Sequence, residues 1–192
     1  MSFQRNKSFI LLIATAVVLF VASPFLQQFA IAPQIDYFTE LALLDSNRTT
    51  DYPSNITSGK SYPLYIEITN RLGRAADYTV EVKFRDINQS GPNSFNHTSS
   101  SLPSLESFKV SAADGETVEL PLDVSFQFQP TGYMDSLTLN GKTHNITTQL
   151  EFNVQKNNYY GNLFFELWLY NQTTNSLQYH ERYLSLWLKL NT

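Results

Sequence analysis

Residues 118–128 read VELPLDVSFQF, and Val118, Leu120, Leu122, Val124, Phe126 and Phe128 fall at every second position. A period of two puts these side chains on one face of an extended strand and Glu119 and Asp123 on the other, the pattern of a strand buried on one side. The same alternation sets Leu64, Ile66 and Ile68 against Tyr65, Glu67 and Thr69. It also sets Tyr78, Val80, Val82 and Phe84 against Thr79, Glu81, Lys83 and Arg85. Leu150, Phe152 and Val154 mark another strand, and Phe38 to Leu44 a first one. Asp114-Gly115 is a turn feeding the Val118 strand. Two long strands, 163–170 and 179–190, close the chain around the polar loop NQTTNSLQ. No helical periodicity of useful length follows Ile31. Seven or eight antiparallel strands in roughly 150 residues predict an all-β fold, an immunoglobulin-like antiparallel β-sandwich. The chain has no cysteine, so the Cys–Trp–Cys signature of true immunoglobulin domains is absent.

Upstream of the strands lies FILLIATAVVLFVASPFLQQFAI, residues 9–31. About twenty apolar residues span a bilayer core. Arg5 and Lys7 precede the run and no charge follows until Asp36, which predicts the N-terminus inside and the rest outside. The expected organisation is a short cytoplasmic N-terminus (1–8), a single transmembrane signal-anchor helix (9–31) and an extracytoplasmic sandwich domain (33–192). A cleaved signal peptide is the competing reading, with candidate sites at Ala30-Ile31-Ala32 and around Ala22-Ser23. Each is followed by a proline, Pro33 or Pro24, which suits a protease subsite poorly. Export follows on either reading, with membrane lipid a partner through residues 9–31 on the first.

A formal charge of −4 argues against nucleic acid as a partner. Without cysteine, the exported domain relies on its core rather than on disulfides. Charged residues are only 16% of the chain, and Asn, Ser, Thr and Tyr supply the polarity. Asn-x-Ser/Thr triplets at Asn47, Asn55, Asn88, Asn96, Asn145 and Asn171 are candidate N-glycosylation sites. Each is expected in a loop or at a strand edge, never mid-strand. The further triplet Asn6-Lys7-Ser8 falls on the inner side and is expected to be idle.

The inventory of reactive groups is thin. The histidines, His97, His144 and His180, lie far apart in sequence and lack ligand spacing. There is no GxSxG, no glycine-rich phosphate loop and no cysteine nucleophile. Asp86-x-Asn88-x-Ser90 alternates oxygen ligands as a calcium loop does, but it lacks the glycine and terminal Glu of an EF-hand, and turn chemistry accounts for it better. A carboxylate pair for glycoside hydrolysis is not visible in one dimension. The chain therefore reads as a non-enzyme without cofactor or metal.

One feature departs from simple alternation. In the closing hairpin Phe165, Leu167 and Leu169 face one way with Leu184, Leu186 and Leu188, yet the opposite face carries Phe164, Trp168, Tyr170, Tyr183 and Trp187. A register pairing Leu167 with Leu184 sets Trp168 beside Tyr183 and Phe164 beside Trp187. Such a face is covered by the chain's own segment 127–145, or by a partner subunit or membrane surface, or serves as a sugar-stacking platform. Phe164, Trp168, Tyr183 and Trp187 are accordingly the candidate interface. The leading expectation is a structural or accessory subunit of a cell-envelope or membrane complex, with protein partners and N-linked glycans. The alternative is a carbohydrate- or ligand-binding surface module.

Phe38-Thr39-Glu40-Leu41, Leu44, Asp51-Tyr52-Pro53, Asn55, Gly59, Asn70 and Tyr78 to Val80 together resemble an archaeal membrane-protein family known as domain of unknown function 1616. The turn Asp114-Gly115-Glu116-Thr117 and the closing LSLWL, 184–188, are similar to its ending. Departures are the single predicted span, where members often have several, the insertion from Asp86 to Leu105 and the lengthened stretch from Gln127 to Asn145. The resemblance implies an exported sandwich on an archaeal membrane protein, and no activity or catalytic residues.

Overall fold

A computed structural model describes residues 37–191, together with Lys7, 9–18 and 20–21. The chain divides into two units, Met1–Asp36 and Tyr37–Thr192. The described residues of the first are helical. Thr15, the lone polar residue in its apolar run, turns its hydroxyl back onto the Leu11 carbonyl at 2.9 Å, so the helix satisfies it internally. Among the described residues no helix is long and apolar enough to cross a membrane. Arg5, Asn6, Pro24, Pro33, both candidate cleavage sites and residues 22–31 of the expected anchor lie outside the described residues.

The second unit is built of β1 (Phe38–Leu44), β2 (Asn55–Ile56), β3 (Ser61–Arg71), β4 (Ala76–Arg85), β5 (Glu106–Ala112), β6 (Thr117–Phe128), β7 (Tyr133–Leu139), β8 (Lys142–Gln149), β9 (Phe152–Asn153), β10 (Asn158–Asn171) and β11 (Ser176–Leu190). One sheet has the order β1-β3-β6-β7-β8; the other has β2-β11-β10-β4-β5, with β9 paired to β10. All pairings are antiparallel except β2 with β11. The result is an all-β sandwich.

Alternation explains the core. Leu64, Ile66 and Ile68 of β3 and Leu122, Val124, Phe126 and Phe128 of β6 are buried against Tyr78, Val80, Val82 and Phe84 of β4 and Leu163, Phe165 and Leu167 of β10. Asp114-Gly115 forms the expected turn. Gly115 takes φ +77°, which its missing Cβ permits, and its N–H donates to the Asn70 carbonyl at 2.7 Å.

Three expectations need correction. Phe152 and Val154 do not continue a strand from Leu150: β9 is two residues long and Val154 lies beyond it, exposed. The closing hairpin pairs Leu167 with Arg182, and Leu184 with Phe165, two residues from the expected register. The pairing slips again between Leu167 and Trp168, so that Trp168 meets Tyr179. The extra residues form a β-bulge in β11, where Glu181 takes φ +58°. Finally, residues 127–145 do not fold over the aromatic face. They form the end of β6, β7 and the start of β8, in the other sheet.

Candidate functional site

Residues directly opposite one another on paired strands share a face. The registers of β4, β10 and β11 therefore stack four rows on the outer face of their sheet: Arg85, Asn162 and Trp187; then Lys83, Phe164 and Ser185; then Glu81, Glu166 and Tyr183; then Thr79, Trp168 and Tyr179. Phe164, Trp168, Tyr183 and Trp187 thus lie together on one face, as the alternation demands. Trp168 packs on Tyr179, with ring centroids 5.5 Å apart. The Arg85 guanidinium sits 5.0 Å above the Trp187 ring while its Nε donates to Asn162 Oδ1 at 2.8 Å.

The segment 86–105, joining β4 to β5, acts as a strap across these rows. Its Ser100 is gripped at both backbone groups: the N–H donates to Glu166 Oε1 at 2.5 Å, and the carbonyl accepts from Lys83 Nζ at 3.1 Å. Lys83 also donates to Glu166 Oε2 at 2.7 Å and lies 3.1 Å from Glu81 Oε2. Both partners of the pair are buried. Phe164 is fully buried although it points away from the main core. Trp168 and Tyr183 are half-buried, and Trp187 remains 40% exposed. Trp168 Nε1 and the Tyr179 hydroxyl are buried without a hydrogen-bond partner among the described residues. Burial, reinforced by the nearby Glu166 carboxylate, pushes the Tyr179 phenol up to about 12.

The strap runs on to a tight turn whose ends, Asn93 and Thr98, exchange backbone hydrogen bonds of 2.9 and 3.1 Å. His97 Nδ1 reaches Glu181 Oε2 at 2.8 Å on the β11 bulge. Beside it His180 turns inward, its Nε2 2.8 Å from the Thr39 hydroxyl. Thr39 in turn meets the Tyr78 hydroxyl at 3.0 Å, and Tyr78 donates to Asn70 Oδ1 at 3.1 Å. Burial holds the His180 imidazole below its ordinary value, and Arg182 depresses it further. The bulge thus brings two of the three histidines, His97 and His180, to one groove with Tyr37, Phe38, Ser94 and Arg182. His144 is elsewhere, 3.5 Å from Glu106, which also pairs with Lys142 at 2.6 Å. Among the described residues no group of three His, Asp or Glu side chains could hold a metal ion.

A second groove opens on the outer face beyond the strap, where Tyr170 and Leu177 meet Asp77, Lys109, Ser111 and Asn175. Tyr170 donates to Asn175 Oδ1, and Ser111 to Asp77 Oδ1. The Asp86 carboxylate accepts from the amides of Asn88 and Gln89 at 2.6 and 3.0 Å, which is turn chemistry. Asn47, Asn55, Asn88, Asn96 and Asn145 are exposed and Asn171 half-buried. Asn145 corrects one expectation, for it lies inside β8, although β8 is a sheet edge. Sequence reasoning missed the Lys83–Glu166–Ser100 clasp. Both charged residues sit at outward positions of their strands, which ordinarily means solvent.

Residues 32–140 match the family described as Domain of unknown function (DUF1616). The matched stretch ends before β10 and β11, so the closing LSLWL and the aromatic rows on those strands fall beyond it. No curated protein matches. Among solved structures, a β-glucosidase from Listeria innocua in complex with glucose is similar at 12% identity and a TM-score of 0.42, over 81% of this chain and 16% of that one. The α-2-macroglobulin of Escherichia coli, from domain MG7 to the C-terminus, gives 11% and 0.42, over 82% and 17%. The CARDB domain of a Pyrococcus furiosus protein, in complex with di-metal ions, gives 8% and 0.38, over 81% and 90%. The chain spans about a sixth of the first two, and likenesses at this level carry no argument about function.

Proposed function

We propose, on the premise that this chain belongs to the family described as Domain of unknown function (DUF1616), that it is a non-enzymatic accessory subunit. The apolar run 9–31 holds it in a membrane and the sandwich is displayed outside, bearing glycans. The observation that carries this reading is the pair Trp187 and Arg85. An exposed tryptophan with a guanidinium 5.0 Å above its ring, one row from the buried Phe164, has the composition of a protein-binding hot spot. Arg85 is further steadied by Asn162 and by the Gln89 carbonyl, which accepts from its Nη1 at 2.7 Å, so little side-chain freedom is lost on association. Affinity purification of the full chain from native membranes is expected to retain stoichiometric partners. Trp187→Ala is expected to weaken that association by about 2 kcal/mol. Partners retained equally by wild type and variant would remove Trp187 from the interface.

The groove lined by Tyr170, Asp77, Lys109 and Asn175 supports a second reading, a carbohydrate- or ligand-binding module. A phenol ring flanked by polar groups suits a sugar face and its hydroxyls. Retention of the detergent-solubilised chain on immobilised polysaccharide, lost in Tyr170→Ala and kept in Trp187→Ala, would favour this reading over the first.

A further inference from the structure

Three aromatic side chains at one end of the sandwich are exposed beyond what folding calls for. Tyr37 is 62% exposed, Phe38 37% and Phe95 88%. Tyr37, Phe38 and Ser94, the neighbour of Phe95, line one groove. Phe95 is not on a loose loop. Asn93 and Thr98 close the turn beneath it, and Asn93 Oδ1 accepts from the amides of Phe95 and Asn96 at 2.8 and 3.1 Å. The His97–Glu181 contact ties the same turn to β11. A large apolar ring held out in water by a fixed turn gains nothing from burial within the fold, which marks a contact surface.

The end of the molecule on which these rings lie is where the sandwich begins. Only residues 32–36 separate Ile31, the last residue of the apolar run, from Tyr37. A chain of that length spans at most about 20 Å. Aromatic residues with an amphipathic environment collect where hydrocarbon meets headgroups. Around the rings Arg71 Nε pairs with Glu40 at 2.6 Å, His97 Nδ1 lies 2.8 Å from Glu181 Oε2, and Arg182 lines the same groove. Acidic and basic groups are thus interspersed around the rings rather than gathered into a patch of one sign.

We infer that Tyr37, Phe38 and Phe95 form a lipid-contacting rim that seats the sandwich in the headgroup layer of the membrane. The inference rests on the anchor reading of residues 9–31. The occupant is the neutral interfacial zone of a bilayer, and no anionic lipid is required.

The absence of native cysteine allows a unique nitroxide label on the full chain. Phe95→Cys, Tyr37→Cys and Val154→Cys are reconstituted in phosphatidylcholine vesicles. Val154 is the control: it is 81% exposed and follows β9, at the opposite end of β10 from the strap turn. At positions 95 and 37 the label is expected to collide more with oxygen than with a water-soluble nickel chelate, and at position 154 the order reverses. If carbonate leaves the protein in the vesicles but position 95 favours nickel as position 154 does, the rim is overturned and the anchor stands. If position 95 is shielded from both reagents, protein rather than lipid covers it, and the rim is again overturned. Release of the protein by carbonate overturns the anchor, and the rim with it.

Discussion

The residues with most at stake are Lys83 and Glu166, a charged pair under the strap with almost no exposure. Taking two charges out of water is costly, and the cost is met only while each keeps its partners. Glu166→Ala leaves Lys83 with the Ser100 carbonyl and the partly exposed Glu81 as its partners, and is expected to lower unfolding free energy by about 3–5 kcal/mol in a denaturant titration. The double replacement Lys83→Met, Glu166→Leu is expected to recover much of that loss, because no buried charge is left unpaired. If the single and double variants lose the same amount, packing rather than charge sets the effect. Phe164→Ala is expected to cost about 3–5 kcal/mol as a cavity, and Trp187→Ala within about 0.5 kcal/mol as a surface change. His180 adds a pH dependence of known sign. Its folded value is depressed by burial and by Arg182, with Glu181 opposing, so the unfolded chain binds its proton first as pH falls. The stabilisation is full above the ordinary value near 6.5 and is lost as pH falls through the folded value. His180→Asn is expected to flatten the stability profile over that window, and an unchanged profile would assign the dependence to another group.

At the scale of elements the strap decides what the β10–β11 sheet can present. Ser100→Pro removes the N–H that binds Glu166. Faster hydrogen exchange across 86–105 and a red-shifted tryptophan emission are expected as Trp168 becomes wetter, with β3 and β6 keeping their protection. Equal loosening of β3 and β6 would show that the strap is not a separate unit. This element also measures how far the sequence could be read. The strands of the core were legible because Val118 to Phe128, Leu64 to Ile68 and Tyr78 to Phe84 each present one apolar face, and a period of two admits one interpretation. The hairpin's faces were legible for the same reason, but its register was not. Glu181 adopts a left-handed backbone inside β11, and nothing in HERY, 180–183, announces a bulge. The cover was misassigned because 127–145 and 86–105 are both polar and interrupted. The discriminating feature was that Lys83 and Glu166, outward on their own strands, find each other and Ser100 in three dimensions. The groove uniting His97 with His180 depends on that same bulge and could not be seen in the spacing of the histidines.

For the whole molecule, the seating proposed for the sandwich predicts a pattern of glycans. The described sandwich starts at Tyr37, beside the start of β1 and the turn that carries Phe95 and Asn96. Asn47 follows the far end of β1, Asn55 opens β2 beside Lys189, and Asn88 follows β4 beyond Arg85. These three stand exposed at the opposite end of the strands. Asn96 is also exposed, but it neighbours Phe95, and a bulky hydrophilic oligosaccharide there would hold the rim away from lipid headgroups. Surface accessibility alone therefore does not separate Asn96 from Asn47, Asn55 and Asn88, whereas orientation at a membrane does. Glycopeptide mapping of material from the native host is expected to find Asn47, Asn55 and Asn88 modified and Asn96 bare. A glycan on Asn96 in chains that remain membrane-bound after carbonate treatment would show that this end faces water. Bare Asn47, Asn55 and Asn88, from a host whose other surface proteins carry glycans, would instead place the sandwich on the inner side.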